Sequence, residues 1–230
     1  MYVDRHMSSP AVTIGEDTTL ADARSILEEH GFRHLPVIDG EGSLRGIVTD
    51  RDIRSALPSR IGGAVNDEAL LQRLGGTPVK EIMTPAPHSL TLSSTLDDAL
   101  FVLEREKIGA LPVVDGEGRV AGILSLQDLL KAYKELFGLG GPGTALVEIE
   151  DDGSPGLLSR VVRILEERKI SFSRLLRVGG APGEGKGIVY LRVSTYNTHA
   201  LHTALEAAGA TCRLDTPRER AEGGKGKAGE

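Results

Sequence analysis

The feature that most constrains this 230-residue chain is an internal duplication. Residues 7–53 align without a gap on residues 83–129, at a constant separation of 76 residues. Leu35-Pro36-Val37-Ile38-Asp39-Gly40-Glu41-Gly42 returns as Leu111-Pro112-Val113-Val114-Asp115-Gly116-Glu117-Gly118, and Gly46-Ile47-Val48-Thr49-Asp50-Arg51-Asp52 returns as Gly122-Ile123-Leu124-Ser125-Leu126-Gln127-Asp128. Two similar units follow from this. A copy of roughly fifty residues buries too little surface to stand alone, so the copies should pack on each other.

Each copy has a readable pattern. An extended piece at residues 11–14 leads to Thr18 or Thr19 as N-cap of a helix with Leu20, Ala23, Ile26 and Leu27 on one face, closed by Gly31. Leu35 to Ile38 is an apolar strand, Asp39 to Gly42 a hairpin turn of the Asp-Gly kind, Leu44 to Val48 the returning strand, and Asp50 opens a second helix. Between the copies, Asn66 to Leu74 reads as a capped amphipathic helix. With no Trp and 3% aromatic residues, the core must be Leu, Val, Ile and Ala.

Composition removes several function classes. Thirty-three Asp+Glu against 27 Lys+Arg give a formal charge of −6, which argues against general nucleic-acid binding. No apolar run reaches the ~20 residues of a membrane span, and the N-terminus has no signal-peptide pattern. A single cysteine, Cys212, allows neither an intramolecular disulfide nor a cysteine zinc site, so a reduced, cytoplasmic setting is expected. No nucleophile–base pair, metal cluster or other catalytic constellation is visible, and the chain is expected not to be an enzyme or to need a metal. Gly180 to Gly187 imitates a phosphate loop, but Gly187 replaces its Ser/Thr and a strand follows. His199 and His202 share a helical face without a third ligand.

Thr49 with Asp52, and Ser125 with Asp128, sit at strand-to-helix junctions. Backbone N–H groups and a hydroxyl there suit a phosphate, and a carboxylate one turn in can accept both hydroxyls of a ribose. The same residues can also be plain helix caps. An acidic chain that binds a polyanion needs local cations, and these concentrate on the first copy as Arg33, His34 and Arg51. Their counterparts in the second copy are Gly109, Ala110 and Gln127.

The duplicated Leu-Pro-Val strand, Asp-Gly turn and Gly-Ile-Val-Thr-x-x-Asp ending resemble paired CBS domains, the Bateman module. The resemblance implies repeats at 1–58 and 80–137 around a connector at 59–79, with adenine nucleotide (ATP, ADP or AMP) bound between them as a regulatory ligand. Matched residue by residue, Ser125 and Asp128 would work with Met7, Val12 and Phe32, and Thr49 and Asp52 with Met83, His88 and Ile108. S-adenosylmethionine is an alternative ligand. The family also implies a homodimer that signals to a partner enzyme.

After a glycine-rich linker at 138–143, residues 144–216 read β-α-β-β-α-β, the ferredoxin-like order, with a charged tail at 217–230 expected to be disordered. With Asp152-Gly153-Ser154-Pro155-Gly156-Leu157 opening its first helix, this third resembles an ACT domain, which implies an amino-acid effector held near Asp152, Gly156 and Leu157. The whole is an α+β chain similar to bacterial acetoin-utilisation accessory proteins. Two rival readings stay open: a ligand-free dimeric interaction module, and a nucleotide hydrolase acting at the glycine-rich tip.

Overall fold

The computed structural model describes residues 1–56, 72, 74–139, 144–153, 155–179, 186–195 and 197–215. The expected connector helix at 66–74 is described only at residues 72 and 74, and the tip at 180–185 and the tail lie outside the described residues. The chain divides into two compact units, Met1–Tyr133 and Lys134–Glu230.

In the first unit, one copy forms β1 (Ile14–Gly15), α1 (Leu20–His30), β2 (His34–Ile38), β3 (Leu44–Thr49) and α2 (Asp50–Ala56). A short strand β4 (Thr84–Pro85) precedes the second copy, which forms β5 (Leu90–Thr91), α3 (Leu96–Glu106), β6 (Ala110–Val114), β7 (Val120–Ser125) and α4 (Leu126–Leu136). Thr19, not Thr18, caps α1 by accepting from the Asp22 N–H at 3.1 Å, and Thr95 makes the matching reciprocal box with Asp98. Gly31 closes α1 at φ 66°, where an L side chain would be strained.

The hairpin turns fall at Asp39–Gly42 and Asp115–Gly118, where the sequence places them. The left-handed glycine is the second one, Gly42 at φ 83° and Gly118 at φ 80°, with a register shift between Val37 and Ile38 and again between Val113 and Val114. Asp39 Oδ1 accepts from the N–H groups of Glu41 and Ser43, both at 2.9 Å, and Asp115 repeats this with Glu117 and Arg119. These bonds hold both carboxyls below the usual carboxylate range. The two turns also bind each other: Leu44 N–H donates to Gly118 O at 3.2 Å and Val120 N–H to Gly42 O at 3.1 Å.

The copies exchange their leading segments. Val3 is fully buried in the core of the second copy, among Leu96, Leu103 and Leu124, and Val3 N–H donates to Ser94 O at 2.9 Å. Reciprocally, Val79 is buried in the core of the first copy with Leu20, Leu35 and Val48. Ser8 pairs with Ile123 beside β7, as β4 pairs with Gly46 and Ile47 of β3. Gly46 and Gly122 let these segments lie close, since a Cβ would stand 2.4 Å from Met83 Sδ and 3.1 Å from Thr84 O at the first, and 2.6 Å from Met7 Sδ and 2.9 Å from Ser8 O at the second.

The second unit forms β8 (Thr144–Asp151), α5 (Leu157–Glu167), β9 (Ser171–Gly179), β10 (Gly187–Ser194), α6 (Thr198–Ala207) and β11 (Cys212–Asp215). Its antiparallel sheet runs β11-β8-β10-β9, so the β-α-β-β-α-β order read from the sequence is the order found. Ala145, Val147, Ile149, Val189, Leu191 and Val193 alternate onto one face of the sheet, where Leu157, Val161 and Leu165 of α5 and Leu201 and Leu205 of α6 cover them.

Candidate functional site

Two clefts open where the copies meet, related by the internal duplication. The first, of about 880 Å³, is lined by Thr49 and Asp52 from the first copy, by Thr84, Pro87 and His88 from the segment before the second, and by Lys107, Ile108 and Gly109. The second, of about 400 Å³, is lined by Ser125, Asp128, Leu126 and Leu130, with Ser8, Val12 and Phe32. Each cleft therefore draws on both copies.

The floor of each cleft is a strand-to-helix junction. Asp52 Oδ2 accepts from Thr49 N–H at 2.8 Å and Thr49 Oγ1 at 2.7 Å, while Asp52 N–H donates back to Thr49 Oγ1 at 3.2 Å. Ser125 and Asp128 repeat the geometry at 2.9, 2.6 and 3.2 Å. The capping role is thus real, and it consumes Oδ2. Oδ1 of each aspartate makes no hydrogen bond among the described residues and stays available to a pair of hydroxyls. Thr19–Asp22 and Thr95–Asp98 form similar boxes without lining either cleft.

The structure gathers most of the sequence-selected residues. Thr49, Asp52, Arg33, His34, Arg51, His88 and Ile108 line the first cleft, and Ser125, Asp128, Val12 and Phe32 the second. Met7 and Met83 differ: they pack half-buried against the cores of the second and first copies, and the next residues, Ser8 and Thr84, do the lining. Pairing of Ser8 with Ile123 and of Thr84 with Ile47 turns those neighbours toward the clefts. Arg33 and His34 line both clefts rather than the first alone. Lys107, Leu126 and Leu130 also line the clefts, and no motif in the sequence marks them.

His34 sits at the meeting of the copies. A Cβ on Gly109 would lie 2.9 Å from its Cε1 and Nε2, so the absence of a side chain there makes room for the ring. Burial pushes the imidazole below its ordinary value, and Asp50 opposes that, with Arg33 lowering it further and Asp52 raising it. Asp50 is itself bound to Arg54 at 2.7 Å.

Asp152 is exposed, whereas Asp151 is 1% exposed and ion-paired with Arg177. Arg177 reaches across β10 at Gly187, which pairs with Asp151 on one side and Gly179 on the other and offers no side chain to obstruct it. Gly156 stands at φ 87° before α5, and the Leu157 side chain points into the core, leaving its backbone N–H as the group a ligand could use. His202 lies 3.3 Å from Glu206, and the described residues hold no cluster of three metal-ligating side chains. No helix among them is long and apolar enough to cross a membrane.

The family model for the CBS domain matches residues 3–59 and 79–135. A CBS domain-containing protein of Dictyostelium discoideum is 37% identical over 130 residues, which cover 56% of this chain and 89% of that protein. The match to inosine-5'-monophosphate dehydrogenase of Aquifex aeolicus, 32% identical over 123 residues and 54% of this chain, spans only 22% of the enzyme. Among solved structures, CBSX2 in complex with AMP is 29% identical with a TM-score of 0.50, covering 59% of this chain and 98% of that one. A chain from Vibrio cholerae assigned to acetoin utilization is 27% identical with a TM-score of 0.50, covering 60% and 94%. These matches bear on the first unit.

Proposed function

Because this chain belongs to the CBS-domain family, with two tandem CBS domains forming its first unit, we propose that it is a non-catalytic sensor of adenine nucleotides that signals to a partner enzyme. The observation that carries this reading is the first cleft. There Asp52 offers a free Oδ1 to a ribose, while Arg33, Arg51 and Lys107, none of them ion-paired among the described residues, offer charge to a phosphate. CBSX2, which was crystallised with AMP, supports the ligand class.

A signal needs a ligand that binds two arrangements of the copies unequally. A ~10–100-fold preference would supply about 1.4–2.7 kcal/mol. The clefts are suited to this, since each is closed by both copies. Cytoplasmic placement belongs to the same reading. For the second unit we propose an ACT-like role in which backbone N–H groups at the start of α5 receive an amino-acid carboxylate.

Homodimer formation is proposed on a separate observation. Leu100, Phe101, Leu126 and Leu130 are 43–61% exposed on the second copy, where the first copy carries Arg24, Ser25, Asp50 and Arg54. The test of the sensor reading is thermal unfolding against ATP, ADP, AMP and S-adenosylmethionine. A rise with an adenosine ligand that Asp52→Ala or Asp128→Ala abolishes is expected; no response to any of them would leave the interaction-module reading in its place.

A further inference from the structure

The two clefts are built alike yet differ in charge. The first is lined by Arg51, Arg54, His88 and Lys107 besides Arg33 and His34. At the positions of Arg51, Arg54 and His88 the second copy's cleft has Gln127, Leu130 and Val12, and at that of Lys107 it has Gly31. Among the described residues its cationic lining is thus Arg33 and His34 alone, and both of these also line the first cleft. Burial keeps His34 toward its neutral form, which leaves Arg33 as the one permanent cation common to the two.

Arg33 is placed for that role by its backbone. Asp50 N–H donates to Arg33 O at 3.2 Å, and this fixes the residue at the junction of β2 and α2, while its side chain is exposed and has no ion-pair partner among the described residues. In the second copy the same junction is closed by Leu126 N–H donating to Gly109 O at 2.9 Å, with no side chain at Gly109. The duplication has therefore kept the backbone clasp twice and the cation once.

One guanidinium cannot serve two phosphates at full strength. Resting on the proposed adenosine chemistry of the clefts, we propose that they compete for Arg33, so that a phosphate-bearing nucleotide in the Thr49–Asp52 cleft weakens binding of a second one at Ser125–Asp128, which is left suited to an uncharged adenosine ligand. The chain would then read two chemical forms of one nucleoside at once, phosphorylated in the charged cleft and unphosphorylated in the apolar one.

Calorimetric titration of the full chain with AMP and with adenosine tests this. In wild type, the second AMP step is expected to be roughly tenfold weaker than AMP binding at the same cleft in Asp52→Ala, where Arg33 is free to serve it; that ratio corresponds to loss of one charge-assisted hydrogen bond. Adenosine should bind the Ser125–Asp128 cleft with the same affinity whether or not AMP fills the other. Arg33→Ala should abolish the difference between the two AMP measurements while adenosine still binds, and Arg33→Lys should restore part of it. Equal AMP affinities in wild type and Asp52→Ala, or a difference that survives in Arg33→Ala, would overturn the competition and leave the sensor reading standing. Binding of neither ligand would overturn both.

Discussion

A Thr/Ser-x-x-Asp capping box reads the same wherever it falls, and four of them form in the described residues, at Thr19, Thr49, Thr95 and Ser125. All four cap helices with nearly equal bond lengths, and only two look into a cleft. Local chemistry therefore identified the cap, while the duplication and the family resemblance singled out the pair that lines the clefts. His34 was legible only as a cation beside a strand. Its position against Gly109 depends on how the copies meet, which no local pattern encodes. Its depressed pKa has a consequence for stability. Below its ordinary value of 6.5 the unfolded chain takes up the proton more readily than the folded one, so this contribution is present above about pH 6.5 and is lost as the pH falls through the folded-state value. Urea unfolding at about pH 7.5 and about pH 5.5 should show a smaller acid loss in His34→Gln than in wild type.

At the level of elements, periodicity served well for the helices. The face Leu20, Ala23, Leu27 is buried as its spacing requires. Strand β1 was placed less well: extended residues 11–14 reduce to a pairing of Ile14 and Gly15 with Val37 and Ile38, because Val12 is turned to the cleft instead. The exchange of leading segments was not legible at all, since Val3 and Val79 stand in short stretches without a period. Their burial gives an expectation: Val3→Ala and Val79→Ala should each cost about 2 kcal/mol. Hydrogen exchange would separate them, with protection falling first in β6 and β7 for Val3→Ala and in β2 and β3 for Val79→Ala.

For the molecule as a whole, the two units have separate cores, so unfolding need not be one transition. Adenine nucleotide at a hundred times its dissociation constant should stabilise only the transition of the first unit, by about 2.7 kcal/mol. Arg177→Met, which strands the buried Asp151, should lower only the other, by about 3 kcal/mol. Differential scanning calorimetry of the two cases would show whether the assignments hold. The exchanged segments carry a further consequence, about descent. Each copy has a groove for a leader, yet its own leader lies in the groove of the other copy. In that arrangement a solitary ancestral repeat completes its core by trading leaders with a second molecule, as a swapped dimer. Joining two such repeats in one chain turns a trade between molecules into one within it, and the two clefts need no longer be identical: one is lined by Arg51 and Arg54, the other by Gln127 and Leu130.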